Sequence, residues 1–308
     1  MDAFLAVAQQ VAILFVLVGA GALMRRAGFF RDAAIDGMVN VLVLVVTPCL
    51  IVDVFQRPFD PSMLKGLGLA FVIAALGHLA VIATACLFVR HSDDAVRRPL
   101  LLAAVFSNAG FMGIPLQQAV LGPGGVFYGT VYIVVFNLFM WSWGIGTMCG
   151  KRGSDHLRMW VNPGTVGIAL GLPLFFCSVK LPTVIGAPVH QLANLNTPLA
   201  MIVIGYYLAG ARLGRVARMG SAYAAGFIRL LGYPLLVIAA LWPFRQALDR
   251  NMMLATVIAA SAPVAAMVSM FAAKFGRDVD ASVGVTAAST LASILTMPAV
   301  VAFAMAVL

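Results

Sequence analysis

Apolar stretches long enough to cross a bilayer recur along almost the whole of this chain, and no other sequence feature constrains its fold as tightly. A spanning helix needs about 20 mostly apolar residues. Ten such windows can be read between charged residues and Pro/Gly punctuation in the 308 residues: 3–24, 34–55, 63–90, 97–121, 125–149, 161–179, 188–211, 220–243, 251–273 and 281–307. Runs such as Ala70–Ala75 are continuously apolar, whereas a membrane β-barrel requires alternating segments of about ten residues. Apolar residues make up 62% of the chain and charged residues 10%, against about 45–50% and about 25% in soluble domains. A soluble globule is excluded. The expectation is an all-α polytopic membrane protein of ten transmembrane helices.

The net charge of +9 points to topology rather than to nucleic acid, because Lys and Arg sit in short connections instead of gathering on one polar face. Connections after odd-numbered windows hold 14 of the 20 basic residues, those after even-numbered windows hold 5, and Arg229 lies inside the eighth window. Cytoplasmic connections carry the excess, so both termini are expected outside a bacterial inner (plasma) membrane, with the lipid bilayer as the surrounding partner. Arg25 and Arg26 follow the first window and no basic residue precedes it, the reverse of a cleavable signal peptide. Two halves of five spans are necessarily inverted relative to one another. Residues 1–150 and 151–308 are therefore read as a 5+5 inverted repeat, a recurrent transporter plan. In support, Thr47-Pro48 recurs 150 positions later as Thr197-Pro198, and Pro115 recurs 148 positions later as Pro263.

The densest chemical signal is Ser107-Asn108-Ala109-Gly110-Phe111-Met112-Gly113-Ile114-Pro115-Leu116, in the fourth window. Pro115 removes a backbone donor and clashes with the preceding turn, and Gly110 and Gly113 lower the cost of unwinding. The fourth helix is expected to break here, near mid-membrane. Non-helical backbone at that depth must be buried or line a polar cavity, which makes Asn108, Gly113 and Pro115 candidate substrate-binding positions. The competing reading is a structural kink with Asn108 bonded to a neighbouring helix. The ninth window repeats the arrangement in Ser261-Ala262-Pro263, and the two breaks are expected to cross near a pseudo-two-fold axis, adding Ser261 and Pro263. Thr47 and Thr197 each precede a proline and are further lining hydroxyls, with back-bonding to their own helices as the alternative. Half-helix starts carry partial positive charge and favour an anion.

These stretches carry a resemblance. The run Asn108–Leu116, the segment Ala272-Ala273-Lys274-Phe275-Gly276-Arg277-Asp278, and Ser289-Thr290-Leu291-Ala292-Ser293-Ile294-Leu295-Thr296-Met297-Pro298 resemble the auxin efflux carrier family, whose bacterial members include malonate-type transporters. Asn40 with Thr47-Pro48-Cys49-Leu50, and Arg229-Leu230 with Pro234, extend the similarity over the whole chain. The resemblance implies a ten-span transporter with both termini outside, broken helices 4 and 9 that cross, and a carboxylate-bearing substrate. Plant members carry a long loop between spans 5 and 6 where this chain has only about residues 150–160, and an Asn beside each crossover proline where this chain has Ser261 before Pro263. Auxin itself is not expected as the substrate.

The acidic residues sharpen this. The chain has no Glu, and its 11 Asp lie in or near connections, leaving spans 4, 5, 9 and 10 without a carboxylate. A sodium–proton antiporter keeps a carboxylate at mid-membrane, whereas a carrier of a small organic anion needs none. A mono- or dicarboxylate moved by alternating access is the expected cargo. His78, in mid-span 3, is read either as a proton-coupling group or as a hydrogen-bonded structural residue. Arg229 sits about 14 Å along span 8 at about 1.5 Å per residue, a costly depth unless it faces protein or water. It is read either as lining the cytoplasmic approach, its fork suited to a carboxylate, or as snorkelling to the headgroups. Cys49, Cys86, Cys149 and Cys177 lie in apolar runs without metal-ligand spacing, and no cofactor or metal is expected. The alternatives kept are a proton- or sodium-coupled carrier of another solute such as a bile-acid-like anion, and a non-transporting membrane enzyme, although no nucleophile–base pair is visible. No nucleic acid partner is expected, and a homodimer stays open.

Overall fold

The computed structural model describes residues 2–59, 61–150, 163–211 and 213–308. Every regular element among them is helical: α1 Asp2–Arg26, α2 Asp32–Val41, α3 Thr47–Val54, α4 Pro61–Phe88, α5 Asp94–Val105, α6 Ile114–Phe139, α7 Ile145–Cys149, α8 Pro163–Phe176, α9 Thr183–Asn194, α10 Asn196–Gly210, α11 Leu213–Val216, α12 Gly220–Phe227, α13 Tyr233–Leu241, α14 Arg250–Ser261, α15 Ala266–Lys274 and α16 Val279–Val307. Seven described helical stretches are long and apolar enough to cross a membrane. This is the solution lipid demands, since a helix satisfies its backbone polar groups within itself. The protein is a polytopic helical membrane protein.

Prolines shape the helices in a repeated way. Wide turns at Leu42–Val46, Ala109–Gly113 and Ile228–Gly232 run directly into α3, α6 and α13, whose second residues are Pro48, Pro115 and Pro234. Proline has no N–H to close a normal turn, and a locally widened turn is a recognised way to absorb the mismatch. Gly122 takes a left-handed φ of 66°, which glycine tolerates, and Pro123 follows it. That bend divides the 41-residue apolar stretch Ala109–Cys149 into two segments.

The chain forms two compact units. The larger comprises 1–13, 70–154 and 210–308, the smaller 14–69 and 155–209. Each unit therefore draws on both sequence halves rather than coinciding with one.

In the smaller unit, helices approach closely through glycines. A Cβ at Gly21 would run into the carbonyl of Ile202, and one at Gly205 into the carbonyl of Val18. Gly167 and Gly171 of α8 lie against the backbone of Pro48 and Val52. Small residues that let backbones meet are the usual basis of membrane helix packing. Polar contacts sit at the helix ends. Arg25 donates to the Tyr206 carbonyl at 2.8 Å, and the Tyr206 hydroxyl donates to Asp32 at 2.6 Å. Asp53 meets His190 at 3.0 Å near the end of α3.

In the larger unit, four connections meet at one end. Arg98 donates to the Thr147 carbonyl at 3.0 Å, Arg277 to the Met148 carbonyl at 2.8 Å, and Arg215 pairs through both terminal nitrogens with Asp278. The Asp278 N–H donates to the Ala95 carbonyl at 3.0 Å. Arg250, at the start of α14, reaches the Met305 carbonyl at 2.7 Å, in the last turn of α16.

Candidate functional site

Two helices of the larger unit stop short inside it. Helix α5 begins on an Asp93 cap and ends at Val105, and α14 begins on an Asp249 cap and ends at Ser261. Beyond each end the backbone is extended, with Phe106 at φ −98°, ψ 113° and Ala262 at φ −63°, ψ 147°. The two extended segments lie antiparallel, Ser107 opposite Val264. The Asn108 N–H donates to the Pro263 carbonyl at 2.7 Å, and the Ala265 N–H donates to the Phe106 carbonyl at 2.9 Å. The Val264 N–H ends on Ser289 Oγ at 3.1 Å. Each break thus supplies partners for the groups the other frees, as buried backbone requires.

The break in the fourth window is not where the proline pattern places it. Helical backbone gives way at Phe106–Asn108 rather than around Pro115, which occupies the first turn of α6. The wide turn Ala109–Gly113 just before it takes up the missing N–H. The pairing also relates residues 157 positions apart, Ser107 to Val264, rather than the 148 that separates Pro115 from Pro263. Pro263 lies in its gap, whereas Pro115 does not.

Around the crossover lies a buried polar cluster. The Ser107 hydroxyl reaches Tyr132 Oη at 3.4 Å, and Tyr132 reaches Tyr233 Oη at 3.5 Å, both long contacts. The Arg229 guanidinium sits 4.9 Å over the Tyr233 ring. His78 lies against Tyr132 and stacks on Phe139, with ring centroids 5.0 and 5.3 Å away. Its Nδ1 donates to the Ala74 carbonyl at 2.8 Å, and Nε2 is buried without a partner among the described residues.

The expected site residues separate on inspection. Asn108 is 5% exposed, and its side-chain amide makes no hydrogen bond among the described residues. Gly113 lies where a Cβ would stand 3.6 Å from the Ala259 Cα, a helix-packing position. Ser261 turns its hydroxyl back to the Ile258 carbonyl at 2.9 Å. Thr47 does the same to the Leu42 carbonyl at 2.9 Å. Thr47 and Thr197 belong to the smaller unit, the other expected positions to the larger. Arg229 neither lines an approach nor snorkels. It is fully enclosed, with Nη1 donating to the Val105 carbonyl at 2.7 Å, Nη2 donating to the Ala260 carbonyl, and Nε without a partner among the described residues. An apolar hollow of about 670 Å³ in the same unit shares Ser289 with the crossover and is otherwise lined almost wholly by carbon. The sequence reading missed Tyr132, Tyr233 and Ser289. The available signal was hydroxyl groups at mid-span, where each one needs a partner.

Crossed, discontinuous helices with irregular backbone held inside protein are the architecture of membrane carriers. The family described as Membrane transport protein matches residues 6–159, half of the chain, and the Sodium Bile acid symporter family matches residues 197–308. An uncharacterized transporter of Methanothermobacter thermautotrophicus is 27% identical over 309 residues, spanning 96% of this chain and 97% of that protein. The chain belongs to the membrane transport protein family, that of the auxin efflux carriers, and is an integral membrane transporter.

Proposed function

We propose that this transporter is a secondary carrier that moves a small organic anion, a mono- or dicarboxylate, by alternating access and binds it at the crossover. The observation that carries the reading is Asn108. Its amide makes no hydrogen bond among the described residues although it stands at the junction of two broken helices, where an unused polar group is costly. The helix starts beyond each break lend partial positive charge, and no carboxylate from spans 4, 5, 9 or 10 opposes it.

We read the chain as ten spans in a 5+5 inverted repeat. The bend at Gly122 separates spans 4 and 5, the gaps at 106–108 and 262–265 make α5 with the part of α6 before Gly122, and α14 with α15, one broken span each, and α8 supplies span 6. The local two-fold character of the Ser107–Val264 pairing supports the repeat. The gathering of Arg98, Arg215 and Arg277 at one end, with Met305 near Arg250 at the start of α14, supports a cytoplasmic face there and both termini outside the inner (plasma) membrane.

A second reading, a sodium-coupled carrier of a bile-acid-like anion, is favoured by the match of residues 197–308 to the symporter family. Purified protein in proteoliposomes tests both. Saturable uptake of labelled malonate or succinate, with trans-stimulation and loss in Asn108→Ala, supports the first. Sodium-dependent uptake of taurocholate in its place supports the second. Chemical conversion of the probe without accumulation would make the protein an enzyme and remove both.

A further inference from the structure

We propose that Arg229 is a positioning residue of transport: its one guanidinium ties together and neutralises the carbonyl ends of both broken half-helices, so that the crossover presents only its electropositive helix starts. The electrostatic part rests on the reading that the crossover takes an anion, and the structural part does not.

In an unbroken helix the Val105 carbonyl would accept from residue 109 and the Ala260 carbonyl from residue 264. Neither can, because the backbone is extended in between and the Val264 N–H has gone to Ser289. Arg229 takes both orphans, one on each terminal nitrogen. A helix end carries about half a negative charge, so two such ends match one permanent guanidinium charge. No Asp lies within the spans that build this centre and no Glu exists in the chain, leaving the helix ends as the counter-charge for a fully buried cation. The planar fork is what lets one side chain hold two carbonyls, and an ammonium cannot reproduce it.

The surroundings hold that fork in place. Tyr233, one turn along the same span, lies under the guanidinium. Gly77 makes room for the Tyr233 hydroxyl, since a Cβ at position 77 would lie 2.7 Å from Tyr233 Oη. Through Tyr132 that hydroxyl connects to Ser107 in the first break. Both terminal nitrogens being spent on carbonyls, Arg229 acts on the anion through the field and geometry of the crossover.

The test uses full-length protein in lipid nanodiscs, with hydrogen exchange read on peptides covering 106–108 and 263–265, and proteoliposome uptake of labelled malonate. In Arg229→Lys, exchange at both breaks should rise by about tenfold or more as they open locally, while peptides from α10 stay unchanged. The maximal uptake rate should fall by about tenfold and KM stay within about twofold, because an ammonium keeps the charge but cannot bridge the two carbonyls. In Arg229→Gln, KM should rise by about tenfold as well, since the carbonyl ends then oppose a dianion. A merely structural residue would not split the two variants in KM. Unchanged exchange at both breaks in Arg229→Lys overturns the clamp, and equal KM in wild type and Arg229→Gln overturns the neutralisation. If Arg229→Gln does not assemble, exchange in Arg229→Lys decides alone. A loosened crossover in Arg229→Lys combined with normal uptake by Asn108→Ala would keep the clamp and remove the anion site. Abolished uptake in Asn108→Ala with unchanged exchange in Arg229→Lys would do the opposite.

Discussion

The smaller unit keeps its helices together by bringing backbones into contact and leaves its polar groups at the ends, whereas the larger unit breaks two helices and buries polar chemistry between them. Among the described residues, the buried polar side chains are Asn196 in the smaller unit and, in the larger, a set that includes His78, Asn108, Gln117, Arg229 and several hydroxyls. Each such group is expensive in a membrane unless it is partnered. The contrast shows where this chain accepts instability: one unit is closely packed through glycines, the other encloses polar groups.

The sharpest way to break that contrast is through the glycines. In Gly205→Leu the side chain has to enter space held by the Val18 carbonyl, and backbone there cannot yield. A loss of about 3 kcal/mol or more is expected, read as failure to recover monodisperse protein. Normal recovery would mean the smaller unit is not held by these contacts. Asn108→Ala addresses the larger unit. Loss of a hydrogen bond to a charged group is worth about 1.5–3 kcal/mol, so uptake should fall by about ten- to a hundredfold while the thermal midpoint moves by no more than about 2 °C.

Arg277→Met probes the charged end of the larger unit. It removes donors to the Met148 and Cys149 carbonyls, and a loss of about 1–2 kcal/mol with unchanged KM is expected, measured by thermal unfolding beside uptake. Thr47→Val asks whether the smaller unit takes part in recognition. Because the hydroxyl is already used by the Leu42 carbonyl, uptake should remain within about twofold, and a large loss would bring this unit into the site. Asp53→Asn should matter least. Its partner His190 is 62% exposed at the side chain, and such pairs contribute about 0–1 kcal/mol.

Much of this was legible in the sequence because lipid leaves the backbone few choices. Apolar windows had to become helices, and the end of the larger unit where connections meet is the one the Arg-rich connections mark. The break was legible in kind and displaced in place. Pro115 signals trouble in the helix, but the wide turn at Ala109–Gly113 absorbs it, and the gap opened at Phe106–Asn108, at the start of the same stretch. Arg229 stood out as the basic residue without a connection. Its acceptors are main-chain carbonyls at 105 and 260, and a carbonyl freed by a distant break has no sequence signature. Tyr132 and Tyr233 sit inside apolar runs and read as packing, because only the fold reveals that their hydroxyls lie near one another. The compact units escaped the halves for the same reason: packing follows proximity, and spans from opposite halves are neighbours in space.

The antiparallel pair at the crossover also orders events during synthesis. When the first half enters the bilayer, the Phe106 carbonyl, the Asn108 N–H and the Val105 carbonyl have no partners, for these come from Ala265, Pro263 and Arg229, more than a hundred residues later in the chain. Contacts of such separation form late, and unpaired backbone cannot rest in hydrocarbon. The pairing can therefore form only once translation has passed residue 265. A chain interrupted after the first half would leave those groups without the partners that the fold gives them.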